Sequence, residues 1–590
     1  MAAGAVTAET MIRRFPTLTA LTFLSACATV PQASPPPAPV TVRIAGINDF
    51  HGNLMPLSSP REVQTPDGQG VSVPVGGAAW LAGAIAGIRA QNEYSMVISA
   101  GDMIGASPLA SAAFLDEPAI GVMNRIGVDF NAVGNHEFDK GWHELKRIAE
   151  GGCEKHTLRQ PCAVEPDFGG ANFPFLSANV VTDNGETLFP AYGLKTFGEG
   201  ENAVTIGVIG LPLRDVPNLV TPSGVADLTF GDESDAINVY VQELASQGAD
   251  AIVVAIHQGL YNEPQSDTNG CGNVEGELLP ILGRLDPRVD LVVSGHTHRA
   301  YVCDYATIDA TRPFLVTSAG YGASQVTDIA LIIDPARNEV TAKTAHNVTV
   351  QSEGKAKDGS ALQTSDALPE ITPDPAIAAY VARYVDAVAE VAKRPAGKIS
   401  GQAIITDDDE VETALGDMIA DAQLAATREA GAQIALMNNA GVRASLVPAD
   451  DGSLTFGDIY AVQPFGNTLI TRTFTGDQVL ALLEQQFDDA AKKQILAPSA
   501  GFAFAYDRSR PKGDRIVSAT LNGDPINPLK SYRLTMNSFL AAGGDGFTVL
   551  TEGTQTTTGG NDLDAFEAWL KAVPLRQLPE PDRVTNLTPR

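Results

Sequence analysis

Seven short runs of aliphatic and β-branched residues divide the first 345 residues of the chain, and they limit what it can fold into. They are VTVRIAGI from Val40, YSMVISA from Tyr94, FNAV from Phe130, VTIGVIG from Val204, DAIVVAIH from Asp250, DLVVSG from Asp290 and RPFLVTSAG from Arg312. Near-continuous apolar runs of this length read as strands covered on both faces, which is the habit of an α/β fold.

The residues directly behind these runs are chemically uniform. Asp49 and His51 stand in NDFHG, Asp102 in SAGDMIG, Asn135 and His136 in GNHEFD, His257 in AIHQG, and His296 and His298 in SGHTH. In an open α/β sheet the C-terminal strand ends line the ligand crevice, so groups far apart in sequence converge there. Three Asp and Asn oxygens with four histidine nitrogens suit two borderline or hard divalent cations, and no thiolate is involved. A lone Asp-x-His after a strand is most often a turn. Here five of the eight histidines fall inside such motifs, which favours a shared centre, while His143, His156 and His346 lack that context and are expected at the surface.

At 590 residues the chain exceeds what one core usually serves. The polar, aperiodic stretch 351–373 reads as a boundary, and a helix comes after it: Asp374 caps, Pro375 takes the first turn, and Ile377, Tyr380, Val381, Tyr384, Val385, Val388 and Val391 form its apolar face before Pro395 and Gly397. The expected division is a first domain over 41–365, a linker helix over 366–396, and a second α/β domain over 397–590. A formal net charge of −30 argues against a nucleic-acid polymer or an anionic membrane surface as partner, since either needs clustered Lys and Arg.

Residues 1–27 read as a targeting segment. Arg13 and Arg14 precede a short apolar run ending in Leu24-Ser25-Ala26-Cys27, which resembles the lipobox of bacterial lipoproteins, with Cys27 as the lipidated residue and Met11 as an alternative start. The Pro-rich stretch 28–40 fits a tether, so the expectation is an extracytoplasmic protein held to a bacterial membrane by lipid. Four further cysteines allow three pairings, of which Cys153 with Cys162 and Cys271 with Cys303 are the expected ones.

The order NDFHG, GD, GNHEFD, HQG, GHTH resembles the calcineurin-like metallophosphoesterases, and within them the bacterial periplasmic 5′-nucleotidase and UDP-sugar hydrolase group. In the second half ETALGDMIADA from Glu412, NNAGVRA from Asn438, QPFGN from Gln463 and SFLAAGGDGF from Ser538 extend the resemblance. It implies a two-sheet α/β/β/α sandwich joined to a substrate-binding α/β domain, with the linker helix as pivot. It implies one metal held by Asp49, His51 and His298, a second by Asn135, His257 and His296, and Asp102 bridging both. Relatives often carry an amide where His298 stands. It assigns His136 to the transition state or leaving group, with Asp139 orienting it, and leaves Glu137 structural. Phe465 and Phe539 are implied to sandwich a nucleobase, Asn438 and Arg443 to contact base, ribose or phosphate, and Asp545 the ribose.

The activity implied is phosphate release from nucleoside 5′-monophosphates, extending to UDP-sugars or 2′,3′-cyclic nucleotides, with metal identity open among Zn, Mn and similar ions. Where relatives carry an arginine, this chain has TDDDEVETALG, Thr406 to Gly416, with no cation. Two other readings stand beside it: a dimetal hydrolase of a non-nucleotide or sulfur-containing ester, and a surface-anchored binding lipoprotein without turnover.

Overall fold

The computed structural model describes residues 38–589, apart from residues 58, 66–67, 158, 355–360, 407–410 and 489–493. Cys27, the tether up to residue 37 and the acidic residues 407–410 therefore lie outside the described residues.

The apolar runs form two six-stranded sheets. The first runs in the order Glu339–Thr349, Gln325–Asp334, Val40–Ile47, Ser95–Ser99, Phe130–Ala132, Phe175–Leu176, and is parallel from Val40–Ile47 onward. The second runs Ala300–Asp304, Leu315–Ala319, Leu291–Ser294, Ala251–His257, Val204–Pro212, Tyr192–Phe197, with four parallel strands inside two antiparallel edges. Their inner faces meet through Ile44, Ile98, Phe130, Val208, Val253, Val293 and Ile329. Gly210 lies where the two sheets approach closely, since a Cβ there would stand 2.4 Å from Leu176 Cβ. Helices cover both outer faces: Ala78–Arg89, Glu117–Ile126 and Trp142–Glu150 on the first sheet, Glu233–Ser246 and Leu278–Leu282 on the second. This is the expected α/β/β/α sandwich, and every residue of the run Ala251–His257 is buried because the sheet is covered on both sides.

The helix expected to join the halves spans Pro375–Ala392, and Asp374 caps it by accepting from Ala376 N (2.8 Å) and Ile377 N (2.9 Å). Its apolar face is packed into the first body: Ile377, Tyr380, Val381, Tyr384 and Val388 join the core formed with the helices on the first sheet, whereas Val391 is exposed. It reaches the second body through the helix Phe456–Val462.

The second body pairs a five-stranded mixed sheet, in the order Leu496–Pro498, Ile434–Asn438, Ser531–Asn537, Thr468–Thr475, Thr554–Asn561, with a smaller four-stranded sheet and the helices Ala414–Thr427, Gly476–Gln485 and Asp562–Lys571. Both expected disulfides form, Cys153–Cys162 and Cys271–Cys303. Among the described residues no helix is long and apolar enough to cross a membrane.

Candidate active site at the sheet edges and between the domains

The parallel strands of both sheets end on one side of the sandwich, and each of the five motifs leaves its strand there. Asp49, His51, Asp102 and Asn135 come from the first sheet, and His257, His296 and His298 from the second. The ligand atoms of Asp49, His51 and His298 lie within 4.8 Å of one another, as do those of Asp49, Asp102 and His257. Asp102 also comes within 3.5 Å of His51 Nε2 and 3.0 Å of His257 Nε2, so both aspartates, and not Asp102 alone, face the two groups. Asn135 Oδ1 and His296 Nδ1 are 3.0 Å apart beside His257.

Three observations show that this donor set suits cations. First, lone pairs face one another: His51 Nδ1 is engaged by Gly105 O (2.9 Å), leaving Nε2 directed at His298 Nε2 3.2 Å away. His257 differs: its Nδ1 is engaged by Ala100 O (2.8 Å), and although burial opposes charge, the Asp102 and Asp49 carboxylates push its pKa up to about 10, so without a cation its Nε2 favours a proton toward Asp102. Second, burial holds His51 and His296 down to about 3 and His298 well below the usual imidazole range, so these rings present lone pairs. Third, Asp49, His51, Asp102, His296 and His298 all have φ between 46° and 73°. Left-handed backbone costs a non-glycine residue of order 1–3 kcal/mol and clusters at functional sites.

Residues with no expected catalytic role hold these turns in place. The Glu137 carboxylate accepts from Gly134 N (2.7 Å), Asp102 N (2.9 Å) and Met103 N (2.8 Å), stitching the GNH turn to the GD turn. Gly134 must be glycine, since a Cβ would sit 2.2 Å from Asp102 Oδ1. Asn48 donates to Asp49 Oδ2 (2.6 Å) and Gly320 O (2.8 Å) and accepts from Ala319 N (2.7 Å), aiming Asp49 across the sandwich. Its place directly before Asp49 is the only signal the sequence carries for that role.

His136 sits at the edge of the centre. Its Nδ1 lies 2.9–3.0 Å from both oxygens of Asp139. Burial opposes the charged ring, but the Asp139 and Asp102 carboxylates outweigh it and hold the His136 pKa above its ordinary value. A cavity of about 230 Å³ opens from this point between the two bodies. Asn135, His136, Asp139 and His296 line it on one side, and all five expected substrate residues, Asn438, Arg443, Phe465, Phe539 and Asp545, on the other.

Phe465 lies nearly parallel to the His136 ring, 6.0 Å centroid to centroid. Phe539 lies flat against Gly544, where a Cβ would meet the ring at 2.4 Å. Asn438 donates to Asp545 Oδ2 (2.7 Å) and accepts from Asn537 (3.0 Å), so the polar wall is pre-set. Lys140, Arg159 and Tyr460, which no sequence motif singles out, line the same cavity. His143, His156 and His346 lie outside the cavity and the donor set and take no part.

The comparisons agree with this anatomy. Residues 42–300 match the family model for calcineurin-like phosphoesterase and residues 390–552 that for the 5′-nucleotidase C-terminal domain. The chain is similar to the cell wall protein Lmo0130 of Listeria monocytogenes, 28% identical over 90% of this chain and 67% of that protein. It is also similar to a 5′-nucleotidase of Vibrio cholerae, 26% identical over 82% of this chain and 84% of that one. Among solved structures, the 5′-nucleotidase precursor of Thermus thermophilus superposes with a TM-score of 0.73 at 26% identity, covering 93% of this chain and 99% of that one. Of another curated relative the chain spans only 40% of the length. With the donor set at the sheet edges and the second body closing over it, the chain belongs to the metal-dependent phosphoester hydrolases that join a calcineurin-like phosphoesterase domain to a 5′-nucleotidase C-terminal domain.

Proposed function

We propose that the protein is an extracytoplasmic 5′-nucleotidase that releases phosphate from nucleoside 5′-monophosphates, with UDP-sugars and 2′,3′-cyclic nucleotides as further substrates. The observation that carries this reading is the cavity joining the Asp and His centre to Asn438, Arg443, Phe465, Phe539 and Asp545. In this reading residues 41–365 form the metal domain, 366–396 the linker helix and 397–590 the substrate domain. Asp49, His51 and His298 would hold one ion and Asn135, His257 and His296 the other, with Asp102 available to both. Two divalent cations held there supply positive charge for the phosphoryl oxygens and lower the pKa of a water nucleophile.

The chain's own groups do the rest. His136, whose charged form Asp139 favours through Nδ1, is the group placed to carry a proton at Nε2 toward the leaving oxygen. Arg443 faces the phosphate, and its charge reaches His51, His296 and His298. Phe465 and Phe539 stack on the base, worth about 1–3 kcal/mol per base and tolerant of its identity. The two disulfides support an oxidising compartment. A lipid on Cys27 is part of the reading, supported by LSAC after an apolar run. Loss of palmitate labelling in Cys27→Ala is the result expected.

The deciding experiment is a substrate panel on metal-depleted protein with single metals restored. AMP hydrolysis should return with at least one divalent ion. Hydrolysis of aryl phosphates without any nucleotide would refute the nucleotide assignment, and no hydrolysis at all would leave a binding protein.

A further inference from the structure

One strand end beside the metal centre supplies none of its ligands. The run RPFLVTSAG becomes the strand Leu315–Ala319, parallel to Leu291–Ser294, and Gly320, Tyr321 and Gly322 follow it. Tyr321 therefore stands where the other strands place an aspartate or a histidine. Its ring lies 4.6 Å from that of His298, tilted by 37°, and 5.4 Å from that of His51, tilted by 43°. Among the described residues these two are its ring contacts.

The loop that carries Tyr321 is stitched to the turn that carries Asp49. Ala319 N donates to Asn48 Oδ1 (2.7 Å), Gly320 O accepts from Asn48 Nδ2 (2.8 Å), and Gly322 N donates to Asp49 O (2.8 Å). Gly322 has φ 62°, and a Cβ there would meet the Leu57 side chain at 2.7 Å. On the loop's side every one of these bonds uses a backbone atom. The loop thus fixes where the Tyr321 ring points without needing that ring to hold itself together.

His298 is the ligand that such a neighbour can aim. His51 and His257 have fully buried side chains, and each is oriented at Nδ1 by a backbone carbonyl, Gly105 O and Ala100 O respectively. The His298 side chain is 33% exposed, and among the described residues no hydrogen bond reaches its Nδ1. A metal-binding imidazole is ordinarily aimed by a hydrogen bond at its second nitrogen. At His298 an aromatic face occupies that supporting role, through ring packing of a kind that has its own preferred geometry.

We infer that Tyr321 is the positioning residue of His298, so that the ion held by Asp49, His51 and His298 depends on this ring while the ion held by Asn135, His257 and His296 does not. The inference rests on the two-ion reading above.

The test uses full-length, metal-stripped protein titrated with Co²⁺, followed by calorimetry and by the visible absorption of the bound ion. Tyr321→Ala should weaken one of the two binding steps about 10- to 100-fold, the range for losing a group that orients a ligand, and leave the other unaltered. The weakened step should be the one that His298→Ala impairs and Asn135→Ala preserves. Tyr321→Phe keeps the ring and should bind both ions like the parent. Tyr321→Leu keeps apolar bulk without a ring, so it should show the alanine loss and serves where alanine impairs folding. Combining Tyr321→Ala with His298→Ala should stay within about twofold of His298→Ala alone, because the ring then has nothing to orient.

Four results would overturn the inference. Equal weakening of both steps would make Tyr321 a general support of the fold, and an unaltered titration would leave His298 aimed without it. A Phe variant as weak as the Ala variant would assign the effect to the hydroxyl, and full multiplication of the two single losses in the double variant would place the action of Tyr321 elsewhere. If the parent takes up two ions and Tyr321→Ala matches it, this assignment alone falls. If the parent takes up no divalent ion, the two-ion reading falls with it.

Discussion

Glu137→Gln is the sharpest test of how the metal centre is built, because it changes one atom that touches no substrate. In the parent, Oε2 accepts from Gly134 N and Asp102 N, and Oε1 from Met103 N. An amide keeps only one acceptor. With its oxygen on the Oε2 side, two charge-assisted bonds become neutral ones, costing about 1 kcal/mol each. On the other side an NH₂ meets Met103 N at the 2.8 Å of the original bond, which removes that bond and strands a buried donor, about 2–3 kcal/mol more.

The total is about 4–5 kcal/mol, falling on the two turns that carry Asp102 and Asn135. Metal affinity should drop about 10- to 100-fold, as expected when a group supporting the ligands is altered. Chelator-competition titration reads the affinity, and near-UV circular dichroism melts of the metal-free protein read the stability. Burial pushes the Glu137 pKa up to about 8, yet a protonated carboxyl would have to aim its O–H at an N–H. If the glutamine protein binds both ions and melts like the parent, Glu137 is carried as the neutral acid and the carboxylate argument is refuted.

His136→Ala should reduce turnover at least about 100-fold, the lower range for loss of a general acid, with both ions retained by elemental analysis. Retained turnover would remove His136 from the chemistry. Phe465→Ala and Phe539→Ala should each raise KM for AMP about 5- to 150-fold, the equivalent of about 1–3 kcal/mol of stacking, with kcat for a small aryl phosphate unchanged; an unaltered KM would exclude them as base clamps. Asp562, buried at the start of its helix, has its pKa pushed up to about 7 by burial. Its folded pKa lies above the unfolded value of about 4, so the folded state binds the extra proton in between, and stability falls as pH rises from about 4 to about 7. Asp562→Asn should therefore gain melting temperature relative to the parent between pH 5 and pH 8, and a pH-independent difference would contradict the shift.

The strand ends show how much of the centre was legible in sequence. An apolar run covered on both faces must be a strand within a layered sheet, and polar groups directly behind it fall at the sheet edge, so Asp49, His51, Asp102, Asn135, His257, His296 and His298 could be gathered without knowing the strand order. The cap at Asp374 and both disulfides were likewise local or countable features. The helix after Asp374 was legible as a helix, but its packing was not, because an apolar stripe does not say which body will cover it.

The residues by themselves determined an α/β first half, the polar groups that stand behind its strands and the presence of a second domain, whereas the two-sheet sandwich followed only from the resemblance. Tertiary structure decided how they meet. Only there does Asp49 join Asp102 in facing both ligand groups, Glu137 become the stitch between two turns, Phe465 lie over His136, and Arg159 cross from a disulfide-closed loop into the cavity. The reason is directional. Periodicity fixes which face of an element a residue occupies, whereas these contacts depend on where side chains point between elements separated by tens to hundreds of residues, and on backbone turns with positive φ that no local propensity favours.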